Sequence, residues 1–173
     1  TEITPYYESI MALGLRILKY LAIGLDVDPI IFKEAYQKPL GRGQLVYDPP
    51  ISEEDIAAKR FGAAAHTDFG VLTILQQDHL GGLQIMNRSG EWIEAPPIEG
   101  TFVCNIGDLL ERWTNGRLVS TTHRVLNRSG RRRHRATADR SGRGRKRYGS
   151  PGRRRNCGWP GCRRIPGRRA RLG

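Results

Sequence analysis

The chain lacks the cysteine framework of a small disulfide-rich domain. Its 173 residues include only three cysteines. Cys157 and Cys162 have the spacing CxxxxC, and the sequence holds no second pair that would complete a zinc site. Cys104 lies in an apolar run, where we expect a buried thiol. So few cysteines favour a reducing, intracellular setting.

Long apolar segments are also absent. No stretch reaches the roughly 18 continuous apolar residues of a membrane-spanning helix. The first residues do not have the charged and apolar regions of a signal peptide. We therefore predict a cytoplasmic protein with no membrane partner.

Acidic and large apolar residues are scarce in residues 131–173. This segment holds sixteen Arg, one Lys and one Asp, a net charge of +16, whereas residues 1–130 carry a net charge of −4. Its large apolar side chains are Tyr148, Trp159, Ile165 and Leu172. These are too few to offset the entropy cost of ordering the segment. We predict that 131–173 is an Arg/Gly/Pro-rich, disordered tail.

Residues 1–44 show the apolar spacing of amphipathic helices, with intervals of three and four residues. Thr4 can cap a helix, and Pro5 suits its first turn. The pattern predicts helices over 5–23 and 29–37, which would support the domain that follows.

Residues 45–130 change to short apolar runs, which we interpret as the core domain. The runs include "FGVLTILQQD", "GGLQIMN", "EWIEAPP", "GTFVCNIGD" and "VSTTHRVLN", and Gly, Pro, Asn or Asp separates them. Several short strands at regular spacing predict an antiparallel sandwich or barrel.

A candidate metal site opens one of these runs, in "HTDFG". His66 and Asp68 are two residues apart, so in an extended strand their side chains share a face. His123, in "STTHRVL", is the best candidate for a third ligand. Two histidines and one carboxylate can occupy one face of an octahedral metal, as in non-haem Fe(II) oxygenases. Spacing alone leaves zinc, manganese and a metal-free surface pair open.

The order of the segments resembles the isopenicillin N synthase-like family of Fe(II)- and 2-oxoglutarate-dependent dioxygenases. The matching segments are "LVYDPP", "AAHTDFGVLTIL", "GGLQI", "GEWIEAPP", "FVCNIGDLLERWTNG" and "STTHRVLN". The resemblance implies a mainly β fold with flanking helices, a double-stranded β-helix or jelly roll. It also implies that His66, Asp68 and His123 bind iron.

The resemblance further implies an oxidoreductase that uses Fe(II), 2-oxoglutarate and dioxygen. Such an enzyme oxidises a small organic substrate and releases succinate and CO2. Arg133 stands where the family's Arg-x-Ser places its arginine, so the resemblance implies that Arg133 pairs with the far carboxylate of 2-oxoglutarate. Tyr47 is a second candidate contact, with packing at a strand end as the alternative. The motifs do not identify the substrate or the oxidation product.

The chain departs from the family pattern near its C-terminal end. Arg135 replaces the serine of Arg-x-Ser, and Asp48 intervenes between Tyr47 and the Pro-Pro pair. The Arg/Gly/Pro bias after residue 130 is typical of a GC-rich coding sequence read in another frame. We therefore expect a frameshift near Gly130 to Arg133 and an incomplete jelly roll. With the family's N-terminal domain also expected to be missing, turnover should be poor.

Two other functions stay open at this point. The Arg/Gly-rich tail could serve a nucleic-acid-binding protein, because arginines neutralise phosphates. One Tyr and one Trp among sixteen Arg predict only non-specific binding of this kind. The third hypothesis is a pseudoenzyme, in which the His-Asp-His set persists without turnover.

Overall fold

The computed structural model describes residues 2–35, 40–58 and 62–141. Within these ranges the helices are α1 Ile3–Gly24, α2 Ile30–Ala35, α3 Glu53–Ala57 and α4 Asp108–Trp113. The strands there are β1 Leu40–Asp48, β2 Ala63–His66, β3 Leu72–Gln77, β4 Leu83–Met86, β5 Trp92–Glu94, β6 Val103–Ile106, β7 His123–Val125 and β8 Arg133–Ser141. None of these helices is long and apolar enough to cross a membrane.

The strands form two antiparallel four-stranded sheets. Their orders are β1-β8-β3-β6 and β2-β7-β4-β5. Most successive strands alternate between the two sheets, so the chain winds back and forth across a shared interior, as in a jelly roll. The predicted class, mainly β with flanking helices, is confirmed.

Strand β8 lies beyond the predicted end of the core at residue 130. It pairs with β1, where Asp48 faces Arg133, and with β3, where Gln77 faces Arg135. Strand β8 thus lies between β1 and β3, in the segment that the sequence predicted to be part of the tail. Residues 142–173 lie outside the described residues, and their predicted disorder stays a prediction.

The amino-acid composition of β8 does not indicate a β-strand. Strand pairing depends on backbone hydrogen bonds, which any side chain except proline permits. On the outer face of the sheet, Ala138 packs against the cluster that includes helix α1. On the inner face, Arg133 and Arg135 have acidic partners. Ion pairs and small side chains therefore replace the large apolar residues of an ordinary central strand.

Helix α1 covers the outer face of the first sheet, as its three- and four-residue spacing requires. Leu18 and Ala22 of α1 are fully buried in one cluster with Leu72 and Ile74 of β3. The helix predicted over 5–23 is confirmed by α1. Helix α2 occupies the first part of the second predicted helix, and residues 36–39 lie outside the described residues.

The interior between the sheets holds a second, smaller cluster. Leu75 of β3 meets Leu83 and Val125 from the opposite sheet. Cys104 is exposed, contrary to the expected buried thiol, because β6 is the edge strand of its sheet. The other two cysteines lie outside the described residues.

Candidate metal centre

Two neighbouring strands bring His66 and His123 together. His66 ends β2, His123 begins β7, and the two are register partners. Their ring centroids are 4.4 Å apart. Asp68 follows just after β2 and places Oδ1 3.8 Å from Nε2 of His66 and 3.6 Å from Nε2 of His123. The structure therefore assembles the three candidate ligands that the sequence indicates, in one group whose donor atoms lie within 4.8 Å of one another.

Backbone carbonyls orient both imidazole rings. Nδ1 of His66 lies 2.7 Å from the carbonyl oxygen of Ala64, and Nδ1 of His123 lies 3.0 Å from that of Thr121. A carbonyl can only accept, so each Nδ1 donates its proton there. Each Nε2 is then left with a lone pair directed at the shared space, as a metal ligand requires.

The turn after β6 holds the segment that carries Asp68. The amide of Asp108 donates to the carbonyl of Asp68 at 2.7 Å, and the amide of Gly107 donates to that of Val71 at 3.0 Å. A Cβ atom at Gly107 would overlap the carbonyl of Gly70. The sequence signal for this turn is a glycine directly after an apolar strand, where backbones can approach closely.

Helix α4 positions the start of β7 through Glu111. Its carboxylate accepts a hydrogen bond of 2.6 Å from the amide of Ser120, three residues before His123. The carbonyl of Thr122 accepts from the amide of Met86 at 2.8 Å. Glu111 was missed from the sequence, because a glutamate on a short helix carries no signal of a distant partner.

The donor set fits Fe(II). Two neutral imidazoles and one carboxylate suit a non-haem iron site with open positions. Ligand atoms about 2.1 Å from a metal and at right angles to one another lie about 3 Å apart. The separations of 3.8 and 3.6 Å from Asp68 Oδ1 to the two Nε2 atoms are longer, so the three side chains must move closer together to bind one ion. The His66 side chain is 44% exposed, whereas His123 is 8% exposed. The centre is therefore open on the His66 side.

Tyr47 lies on the opposite face of its strand from the interior. Its side chain is half exposed, and its ring centroid is 5.4 Å from that of His134, its register partner. Because neighbouring strand residues face opposite sides, the buried Asp48 points inward in its place. This geometry favours the packing alternative for Tyr47, and its contact with the co-substrate stays a prediction.

Arg133 is buried with unused hydrogen-bond donors. Its side chain is fully buried, and Nη2 donates to Oε1 of Gln77 at 3.2 Å. Nε lies 3.4 Å from Oδ1 of Asp78, yet neither Nε nor Nη1 makes a hydrogen bond to any of the described residues. Burial lowers the pKa of Arg133, which the nearby carboxylates of Asp78 and Asp48 oppose. A buried cation with free N–H groups is suited to an anionic ligand.

Asp48 and Arg135, two departures from the family pattern, bind each other. Arg135 Nε donates to Asp48 Oδ2 at 2.7 Å, and Arg135 Nη2 donates to Oδ1 at 3.3 Å. The amide of the Asn127 side chain also donates to the Asp48 backbone carbonyl, at 2.9 Å. The unusual arginine is thereby neutralised inside the fold.

Residues 40–141 match the sequence model of the 2OG-Fe(II) oxygenase superfamily. Among curated proteins, the chain is 44% identical over 145 residues to a probable iron/ascorbate oxidoreductase of Dictyostelium discoideum, covering 76% of this chain and 40% of that protein. It is 42% identical over 134 residues to the 2-oxoglutarate-Fe(II) type oxidoreductase ppzC of Metarhizium majus, covering 74% and 36%.

Among solved structures, a full-length Neurospora crassa protein in complex with α-KG and thymine is similar to this chain. The two share 30% sequence identity with a TM-score of 0.75, over 82% of this chain and 45% of that one. The chain thus spans less than half the length of each of these three relatives.

Proposed function

This chain belongs to the 2OG-Fe(II) oxygenase superfamily, and from that membership we propose that His66, Asp68 and His123 hold Fe(II) while Arg133 anchors 2-oxoglutarate. The proposed reaction is the oxidation of a small organic substrate by dioxygen, with release of succinate and CO2. The family is enzymatic, and the curated relatives are named as oxidoreductases.

The observation that carries the proposal is the convergence of the three ligand atoms. One ring nitrogen of each histidine and one carboxylate oxygen lie within 4.8 Å of one another, and backbone carbonyls orient both imidazoles. Iron supplies the redox and dioxygen chemistry that side chains lack. The chain's own contribution is to hold the three ligands close together and both imidazoles in the required tautomer.

Arg133 supports the co-substrate part of the proposal. 2-Oxoglutarate carries a 2-oxoacid group at one end and a second carboxylate at the other. The 2-oxoacid group suits a metal, and the far carboxylate suits a guanidinium, which can bind it through two parallel hydrogen bonds. Within the described residues, Nη1 of Arg133 is a buried donor without a hydrogen bond. With Nη2 beside it, it can offer a carboxylate such a pair in a position where solvent weakens charge interactions least.

The exposed side of the centre provides a route for the substrate. His66 is the exposed ligand, and the Phe69 side chain beside Asp68 is 61% exposed. An organic molecule could approach the metal from this side without crossing the apolar interior. The complex of the similar Neurospora crassa protein with thymine supports a small-molecule substrate for a fold of this kind.

Calorimetry with Mn(II), a redox-stable substitute for Fe(II), tests the proposal. The wild-type chain should bind Mn(II), and 2-oxoglutarate should then bind only to the metal-loaded protein. His123→Ala should bind neither Mn(II) nor 2-oxoglutarate. His79→Ala changes an exposed histidine and should still bind both. Binding of 2-oxoglutarate that is equal with and without metal would refute the proposed site.

A further inference from the structure

An ion pair lies inside the fold beside Arg133. Asp48 is only 1% exposed, and its two carboxylate oxygens accept hydrogen bonds from Nε and Nη2 of Arg135. The Arg135 side chain is 12% exposed. A bidentate pair this far from water interacts strongly, and loss of one partner would leave the other charge unpaired in the interior.

The pair and Arg133 share one face of the sheet. Asp48 on β1 is the register partner of Arg133 on β8, and Arg135 is two residues further along β8. Register partners and residues two apart in a strand point to the same side of a sheet. The two arginines and the buried carboxylate therefore share one side of the sheet, and within the part of the chain that the structure describes this carboxylate accepts hydrogen bonds only from Arg135.

The hydrogen bonds divide the two arginines into different roles. Arg135 donates to Asp48 through Nε and Nη2, whereas Nε and Nη1 of Arg133 have no hydrogen-bond partner in residues 2–35, 40–58 and 62–141. Asp78, which lies 3.4 Å from Arg133 Nε, is 20% exposed, so water partly screens its charge. The Asp48–Arg135 pair has no net charge, and Arg133 is left as the cation with donors to offer.

We propose that the Asp48–Arg135 pair sets the charge of the 2-oxoglutarate pocket, so that a single guanidinium, that of Arg133, recognises the far carboxylate. This inference rests on the proposed function. Asp48 has the same sign of charge as the ligand, but Arg135 cancels that charge. Asp48 in turn cancels the charge of Arg135, and in this way it determines which cation the ligand meets.

The proposal predicts opposite effects for the two members of the pair. Arg135→Gln leaves the Asp48 charge uncompensated, which should repel the far carboxylate. Asp48→Asn leaves Arg135 uncompensated, which should attract it. The double variant D48N/R135Q is again neutral and should bind nearly as the wild type does. A purely structural role predicts instead that both single variants weaken binding.

The test compares two ligands on each protein. Dissociation constants are measured by calorimetry on the full Mn(II)-loaded chain for 2-oxoglutarate and for 2-oxopentanoate, which lacks the far carboxylate. The ratio of the two dissociation constants reports recognition of the far carboxylate. A partly unfolded variant weakens both constants equally, so the folded fraction does not affect the ratio. We expect the preference for 2-oxoglutarate to fall roughly tenfold in R135Q, to rise severalfold in D48N, and to stay within about threefold in the double variant.

Two control variants accompany the test proteins. Arg135→Lys retains the charge with poorer geometry and should keep the preference within about threefold. Arg128→Gln removes an exposed arginine 4.0 Å from Glu53 and should leave the preference unchanged. If the single variants do not fold, the neutral double variant and Arg135→Lys still decide, because loss of the preference in either would overturn the inference.

Two results distinguish this inference from the proposed function. A wild-type chain that binds Mn(II) but neither oxoacid would refute the proposed function, and the inference with it. A wild-type chain that binds 2-oxoglutarate through the metal, with both single variants shifting the preference in the same direction or not at all, would refute the charge-setting pair alone.

Discussion

His66 and His123 are register partners on adjacent strands, with Nε2 of each ring within 4 Å of the same Asp68 oxygen. They are 57 residues apart in the chain. The pairing of β2 with β7 therefore creates the centre, and backbone carbonyls fix both rings before any metal arrives. Such preorganisation lowers the cost of binding, because few side-chain rotamers must be ordered.

Removal of either histidine should abolish tight metal binding. His66→Ala or His123→Ala leaves two donors of three, and we expect the affinity for Mn(II) or Fe(II) to fall by about two orders of magnitude or more. Anaerobic calorimetry measures the change. His79→Ala is the matched control and should bind as the wild type does. Equal affinities in all four proteins would place the metal elsewhere.

Replacement of Arg133 should separate co-substrate binding from metal binding. Arg133→Gln removes the buried charge, and the affinity for 2-oxoglutarate should fall roughly ten- to a hundredfold, since hydrogen bonds to charged groups are the stronger kind. The Mn(II) affinity should stay near that of the wild type. Arg132→Gln changes an exposed neighbour and is the control. Undiminished 2-oxoglutarate binding in Arg133→Gln would exclude this residue as the anchor.

Gly107→Ala should destabilise the fold near Asp68. The new methyl group would overlap the carbonyl of Gly70, so the backbone must shift, at an expected cost of about 1–3 kcal/mol in the free energy of unfolding. Gly24→Ala is the control, because a Cβ there meets nothing within 4 Å. Urea unfolding monitored by circular dichroism gives both values. Equal stability of the Gly107 variant and the wild type would show that the contact is relieved without cost.

Two C-terminal truncations should differ in whether the chain folds. A chain that ends at residue 141 should fold, since the twelve basic groups and few apolar residues of 142–173 predict little contribution to stability. A chain that ends at residue 132 should not fold, because it loses β8 and its pairing with β1 and β3. Thermal melts followed by circular dichroism distinguish them. A cooperative transition in the shorter chain would show that β8 is dispensable.

Turnover should be slow even when Fe(II) and 2-oxoglutarate are both bound. The His66 side chain is 44% exposed, so water reaches the centre, and an open site protects reactive species poorly. Succinate formation with Fe(II), ascorbate and 2-oxoglutarate can be followed by mass spectrometry against a His66→Ala control. A rate on the order of 1 per second above that control would contradict this expectation.

The sequence predicted the elements whose signal is local. The helical spacing of α1, the short strands after residue 66 and the three candidate ligands all depend on neighbouring residues or on segments that resemble a family. Strand β8 lies beyond the core boundary that composition predicted at residue 130, because pairing on both sides stabilises this strand despite its composition. In the sequence, Asp48 and Arg135 are two separate departures from the family pattern. The structure brings them together as a hydrogen-bonded pair.

The central claim is that the three ligands hold iron in a position to chelate 2-oxoglutarate. Anaerobic addition of 2-oxoglutarate to the Fe(II)-loaded chain tests it most directly, because an Fe(II)–2-oxoacid chelate has a visible metal-to-ligand charge-transfer absorption. We predict that the band appears with saturable dependence on 2-oxoglutarate in the wild type and is absent in His123→Ala. A wild-type chain that binds Fe(II) but shows no band at saturating 2-oxoglutarate would contradict the account.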